Sequence, residues 1–157
     1  MSSPASIKNH PIHPMLVGLP IGLWIFALVC DIFRLMGEGP AWSNAAIYCI
    51  AGGIVGAIVA AIPGLIDYFS INEKEMSRIA TLHMIVNLIA VVVFALNLWL
   101  RFRLEEDTKI PFLLSLLGVA LIGVSGWLGG EMVYVKGMAV QAVEESAQKD
   151  QKSRRVA

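Results

Sequence analysis

Residues 79–100 read IATLHMIVNLIAVVVFALNLWL, with no charged side chain between Arg78 and Arg101. About 20 helical residues cross the roughly 30 Å hydrocarbon core of a bilayer. This segment is therefore long enough to span a membrane as one helix.

The same pattern occurs three more times along the chain. Each of the four charge-free stretches is 21 to 28 residues long, and the other three lie between Lys8 and Asp31, Glu38 and Asp67, and Lys109 and Glu131. We predict transmembrane helices over about 14–35, 41–66, 79–100 and 111–133. The predicted fold class is all-α, an integral membrane bundle of four antiparallel helices. Residues 1–137 form this domain, and residues 138–157 form a polar C-terminal tail.

Composition excludes several functional classes. Hydrophobic residues make up 57% of the chain, with a mean hydropathy of +0.70, which leaves too little polar surface for a soluble enzyme. The net charge of zero gives no basic surface for nucleic acid. Cys30 and Cys49 are interpreted as apolar fillers. No internal repeat is convincing in the sequence.

Four crossings place both termini and the loop 67–78 on one side of the membrane. That side carries eight lysines and arginines and the other side four. The positive-inside rule then predicts cytoplasmic termini.

Five costly polar residues fall on the side of the termini. They are His10, His13, Asp67, His83 and Glu131. Ionisable groups at a membrane mark functional sites by default. We predict that Asp67 and Glu131 lie close together, with Lys74, Arg78, Lys136 or a metal ion offsetting their charge.

Two histidines from different helices suffice to hold a b-type haem. His13 and His83 are the preferred pair, because both begin parallel helices at comparable depth. Both His10 and His13 are expected in the extended approach to the first helix, since each precedes a proline. Asp67 and Glu131 are predicted to orient the imidazole N–H groups, and Asn87 is predicted to lie with them around the histidine ligands.

Two alternatives stay open for these residues. His10, His13, His83, Asp67 and Glu131 could hold a bare divalent metal or relay protons. In the plain structural interpretation the histidines shape helix ends and the carboxylates face water.

Small residues form one stripe on each of two predicted helices. The second helix has Cys49, Gly53, Gly56, Ala60 and Pro63 on one face, and the fourth has Ser115, Gly118, Ser125 and Gly129. Such stripes favour close helix packing in membranes. They would equally leave room for a flat cofactor, and the spacing alone does not separate the two.

Five short motifs together resemble a bacterial membrane family, the domain-of-unknown-function family 2231. They are HPIHPMLV (10–17), LPIGLW (19–24), PGLID (63–67), His83 with Asn87, and GWLGGEMVY (126–134). The resemblance covers about residues 8–140. It implies a four-helix membrane protein, and the fusion of some members to Rieske iron–sulfur domains implies redox work. The family is also similar to two-haem membrane cytochromes. Many members have histidine where this chain has Lys136, a departure that weighs against a second haem.

The predicted function is a small electron-transfer component with one haem b, exchanging electrons with a quinone or a partner protein. The rival is a non-redox scaffold, or a small transporter of metal ions or protons. No residue pattern suggests bond-making chemistry, so the sequence leans against an enzyme. The lipid bilayer is the predicted partner, and a homo-oligomer is left open.

Overall fold

The structure, a computed structural model, describes residues 3–8, 10–37, 39–105, 108–138 and 154. Four helices follow one another: α1 (Ile12–Leu35), α2 (Pro40–Phe69), α3 (Lys74–Arg101) and α4 (Ile110–Gly130). A π-helical turn, Glu131–Val135, continues α4. Two short antiparallel strands precede α1, β1 (Ser6–Ile7) and β2 (His10–Pro11). Apart from Met138 and Arg154, the predicted polar tail 138–157 lies outside the described residues.

The predicted bundle of four transmembrane helices is confirmed. Four of the described helices are long and apolar enough to cross a membrane, the fourth counted as Ile110–Val135. Large apolar side chains such as Ile58, Leu88 and Leu113 point outward and are exposed. Such an outer surface requires lipid around it, because water would leave a large apolar area hydrated.

Proline and glycine set the helix ends close to the predicted positions. Pro40 and Pro111 stand at the starts of α2 and α4, where a missing N–H leaves no hydrogen bond unmade. Gly37 follows α1 with a φ of +90°, a conformation that glycine adopts without steric cost and other residues rarely adopt. The expectation for His13 was wrong, because α1 begins at Ile12 and His13 lies in its first turn. The first turn tolerates Pro14, since its N–H groups have no intrahelical acceptor.

The helices pack as two hairpins, α1 with α2 and α3 with α4. Fewer contacts join the hairpins, through α1 with α4 and α2 with α3, and this places α1 and α3 at diagonal corners. Side chains from α1 and α3 meet along the central plane between the hairpins. The rings of Trp24 and Phe94 stack there, 4.3 Å between centroids and 11° between planes.

The two hairpins correspond residue by residue in their inward contacts. Three pairs that meet across the central plane are each 70 residues apart: His13 with His83, Trp24 with Phe94, and Asp31 with Arg101. On α2 and α4, Gly53 matches Gly118, Ala60 matches Ser125 and Gly64 matches Gly129, each 65 residues apart. An approximate twofold axis along the bundle would produce this correspondence. Three of these six pairs hold identical residues, His13 with His83, Gly53 with Gly118 and Gly64 with Gly129. Such isolated identities did not reveal the repeat in the sequence alone.

The three central pairs form layers at different depths. Trp24 follows His13 by 11 residues, about 16 Å along the helix, and Asp31 follows by 18 residues, about 27 Å. The histidine layer and the Asp31–Arg101 layer therefore lie at opposite ends of a bilayer-thick bundle.

Candidate functional site

His13 and His83 face each other across the central plane. Their ring centroids are 6.5 Å apart, and the rings are nearly perpendicular, at 87°. Both side chains are half-buried. The structure thus brings together the two histidines that the sequence paired, one from each hairpin.

The carbonyl of Ala60 on α2 orients His13. His13 Nδ1 lies 2.8 Å from the Ala60 oxygen. A carbonyl only accepts hydrogen bonds, so Nδ1 carries the proton and Nε2 keeps the lone pair. Gly64 makes room for this ring, because a Cβ there would lie 2.7 Å from His13 Nδ1. The imidazole thereby lies against α2.

His83 has the matching arrangement on α4, with added polar partners. Its Nδ1 donates to the Ser125 carbonyl at 2.9 Å, and the Ser125 hydroxyl oxygen lies 3.1 Å away. A Cβ at Gly129 would lie 3.4 Å from the ring. Asn87, one turn along α3, donates from Nδ2 to His83 Nε2 at 3.1 Å and to the His83 carbonyl at 2.9 Å.

The small-residue stripes receive side chains from the opposite helix of each hairpin. The indole of Trp24 lies over Gly53, and a Cβ at Gly118 would lie 2.5 Å from the ring of Phe94. With His13 over Gly64, these contacts show that the glycines make room for rings that the chain itself supplies. Any flat ligand would have to lie between those rings, in the central plane.

Neither predicted carboxylate orients an imidazole, because backbone carbonyls already accept the N–H of both rings. Asp67 is buried, and its Oδ1 accepts from the Ser3 hydroxyl at 2.7 Å and from the Ala5 N–H at 3.1 Å. The Ala5 carbonyl in turn accepts from Ile12 N–H at the start of α1. Asp67 thus holds the N-terminal strap (residues 3–8 and 10–11) over the end of α2.

Within the described residues, neither Glu131 nor His10 joins the histidine pair as a third metal ligand. Glu131 begins the π-helical turn, and nearby Lys136 forms a 2.7 Å ion pair with Glu75. That hydrogen bond, with the negative charges of Glu131 and Glu73, raises the pKa of Lys136. His10 is exposed in β2 and binds the Lys8 carbonyl through Nδ1.

A bare-metal site needs at least three ligands in protein sites of the structural or catalytic type. In the part of the chain that the structure describes, no three His, Cys, Asp or Glu side chains come together as such a group. The five residues predicted for that site are therefore not gathered as one ligand set. The pair His13 and His83 stands by itself.

Sequence reasoning missed a second polar cluster at the opposite end of the bundle. Arg101 Nη2 forms an ion pair with Asp31 at 2.6 Å, and the two side chains are only 3% and 1% exposed. Ser115 donates to Asp31 Oδ2 at 2.6 Å, and Arg101 Nε donates to Asn97 Oδ1 at 2.9 Å. Asn97 donates to Ser115 and to the Pro111 carbonyl, and so bridges α3 to α4. The sequence does contain a signal for this cluster, because Asp31 and Arg101 have opposite charges at equal depth on the parallel helices α1 and α3.

Comparison with known protein families gives a match over most of the chain. A family model described as "Predicted membrane protein (DUF2231)" matches residues 9–142, which include every helix and the histidine pair. No curated protein and no solved structure matches the chain.

Proposed function

The chain belongs to the DUF2231 family of predicted membrane proteins, and on that premise we propose that it is a small electron-transfer component of a bacterial cytoplasmic membrane. In this proposal one b-type haem lies between His13 and His83. Its electrons pass to or from a quinone or a partner protein, and both termini are cytoplasmic.

The geometry of the histidine pair carries the proposal. Two imidazoles that share one metal through bonds of about 2 Å have ring centres roughly 6 Å apart once the size of the rings is added, and the observed separation is 6.5 Å. Carbonyls bind Nδ1 of both rings, which leaves Nε2 as the ligating nitrogen on each. Two imidazoles with this arrangement would be a suitable donor set for a haem iron.

The packing around the pair supports a flat ligand in particular. One histidine comes from each hairpin, and the hairpins contact each other less than their own helices do. Gly64 and Gly129 let both imidazoles lie back against α2 and α4. The stacked rings of Trp24 and Phe94 fill the space between the hairpins about 16 Å deeper in the bundle.

Each residue then has a defined task. His13 and His83 would bind the iron, while the carbonyls of Ala60 and Ser125 would fix the direction of the rings. The apolar core below would exclude water. A haem held there supplies a one-electron couple, whose potential depends on axial ligands, hydrogen bonding and burial.

The decisive experiment is the absorption spectrum of protein purified in mild detergent from haem-replete cells. We expect a Soret band and, after dithionite, the α band of a low-spin b-type haem. His13→Ala and His83→Ala should each abolish this spectrum. His10→Ala is the matched control and should retain it, because the His10 side chain is exposed and its Nδ1 bonds the Lys8 carbonyl.

A colourless wild-type protein that takes up no added haem would refute the redox proposal. Metal analysis of the same sample would then distinguish a metal-handling protein from a scaffold. Loss of haem in His10→Ala but not in His13→Ala would show that the wrong α1-side histidine was chosen.

A further inference from the structure

The two histidines have unequal surroundings although their backbones correspond. Ser125 on α4, which carries a hydroxyl beside His83, corresponds to Ala60 on α2, which carries none. Asn87 on α3, at the 70-residue spacing, corresponds to Val17 on α1. The second hairpin thus has two polar side chains where the first has apolar ones.

Asn87 binds the nitrogen that a metal would need. Because His83 Nδ1 is a donor to Ser125, Nε2 is the acceptor, and the Asn87 amide donates to it at 3.1 Å. Among the residues that the structure describes, none is hydrogen-bonded to Nε2 of His13. Nε2 of His83 thus accepts a hydrogen bond from Asn87, whereas Nε2 of His13 has no hydrogen-bond partner among the described residues.

We propose that Asn87 is a positioning residue that competes with the metal for Nε2 of His83, so that His13 binds first and His83 closes the site only when the amide turns away. This inference rests on the proposed function, since it assigns an order in which the two histidines would bind the metal.

Release of His83 requires little rearrangement. The Asn87 amide keeps its second hydrogen bond, to the His83 carbonyl at 2.9 Å, which is within its own helix. Only the bond to Nε2 is lost, and a typical hydrogen bond contributes about 0.5–1.5 kcal/mol, or roughly two- to tenfold in an equilibrium constant. Asn87 is therefore expected to lower haem affinity by about that factor.

The test variants follow from the comparison of the two hairpins, because each hairpin has a different residue at the matched position. Asn87→Val gives the second hairpin the residue of the first, and Val17→Asn gives the first hairpin the residue of the second. Asn87→Ala separates the loss of the amide from the effect of a branched side chain. Leu88→Val, an exposed neighbour on α3, is the control.

Two measurements are made on these proteins. The first is ¹⁵N NMR of labelled histidines in haem-free protein, with both rings neutral. In wild type the Nε2 resonances of His13 and His83 should differ, and in Asn87→Val and Asn87→Ala the His83 signal should move toward that of His13. The second is a haem titration by absorbance, in which both Asn87 variants bind two- to tenfold more tightly and Val17→Asn binds more weakly.

Weaker haem binding in both Asn87 variants, or an unchanged His83 Nε2 resonance, would overturn the inference. Leu88→Val should match wild type in both measurements. If wild type takes up no haem, the proposed function fails by itself. The NMR comparison then still decides whether Asn87 holds Nε2.

Discussion

Arg101 donates from Nη2 to both carboxylate oxygens of Asp31, at 2.7 and 2.6 Å, although the two residues belong to different hairpins and lie 70 positions apart. Both side chains are almost completely buried at the end of the bundle opposite the histidines. A lone charge at such a depth in a membrane is costly. The pair therefore links α1 to α3 at one end while leaving neither charge uncompensated.

Removal of one partner should destabilise the bundle strongly. Asp31→Ala leaves the Arg101 guanidinium buried without its counterion, and we expect a loss of about 3–5 kcal/mol in unfolding free energy. The measurement is reversible denaturation in detergent, followed by circular dichroism. Asp31→Leu combined with Arg101→Met should recover most of the loss, since no charge then remains buried. A double variant as unstable as the single one would contradict this explanation.

Lys136→Ala is a matched control for the ion-pair prediction. Lys136 also pairs with a carboxylate, that of Glu75, but at an exposed position. Exposed ion pairs contribute little to stability, because water and salt screen them. We expect no measurable change in the same denaturation experiment.

The glycines behind the histidines should respond unequally to alanine. A Cβ at Gly64 would collide with the His13 ring at 2.7 Å, whereas at Gly129 it would meet His83 at 3.4 Å. We expect Gly64→Ala to cost about 1–3 kcal/mol, as overpacked cores do, and Gly129→Ala to cost less. Thermal denaturation tests both variants. Gly22→Ala, at a helix position with open space around it, is the control and should not be destabilised.

Asp67 should control the order of the N-terminal strap. Asp67→Ala removes the acceptor of Ser3 and Ala5, so hydrogen exchange at the Ala5 amide should accelerate, and at Ile12 with it. Hydrogen–deuterium exchange read by mass spectrometry of N-terminal peptides measures this. Asp67→Asn retains an oxygen acceptor and should show a smaller change. Equal exchange in wild type and Asp67→Ala would mean that the strap is held by other contacts.

Reporter fusions test the membrane orientation. If the excess of basic residues governs insertion, a reporter fused after Ala157 should behave as cytoplasmic, and one inserted between Arg103 and Lys109 as periplasmic. The reverse result would place the histidine pair at the periplasmic side. It would not affect the geometry of the pair.

The spans were predictable from sequence because absence of charge over 20 residues is a direct consequence of lipid around a helix. The ends differed by a few residues, as at Tyr68 and Phe69, since a helix continues into the interface where its carbonyls are satisfied. Asp31 and Arg101 were treated as limits of charge-free stretches. Their burial depends on a partner on another helix, which one helix considered alone does not show.

The pairing of His13 with His83 was predictable, but the hydrogen-bond partners that orient the two rings were not. Equal depth on parallel helices was enough to match His13 with His83. The partners of their N–H groups are backbone carbonyls of Ala60 and Ser125, which carry no side-chain signature in a sequence. Asp67 was assigned to the imidazoles because of its depth, yet its carboxylate accepts hydrogen bonds from Ser3 and Ala5 of the strap.

The buried ion pair also bears on how such a fold can arise. Two identical hairpins assembled around a twofold axis could contain the histidine layer and an aromatic layer, since like residues are compatible in both. They could not contain Asp31 opposite Arg101, because identical chains would bring together two carboxylates or two guanidinium groups, which repel. Opposite charges meet at this position because the two hairpins, joined here in one chain, differ in sequence.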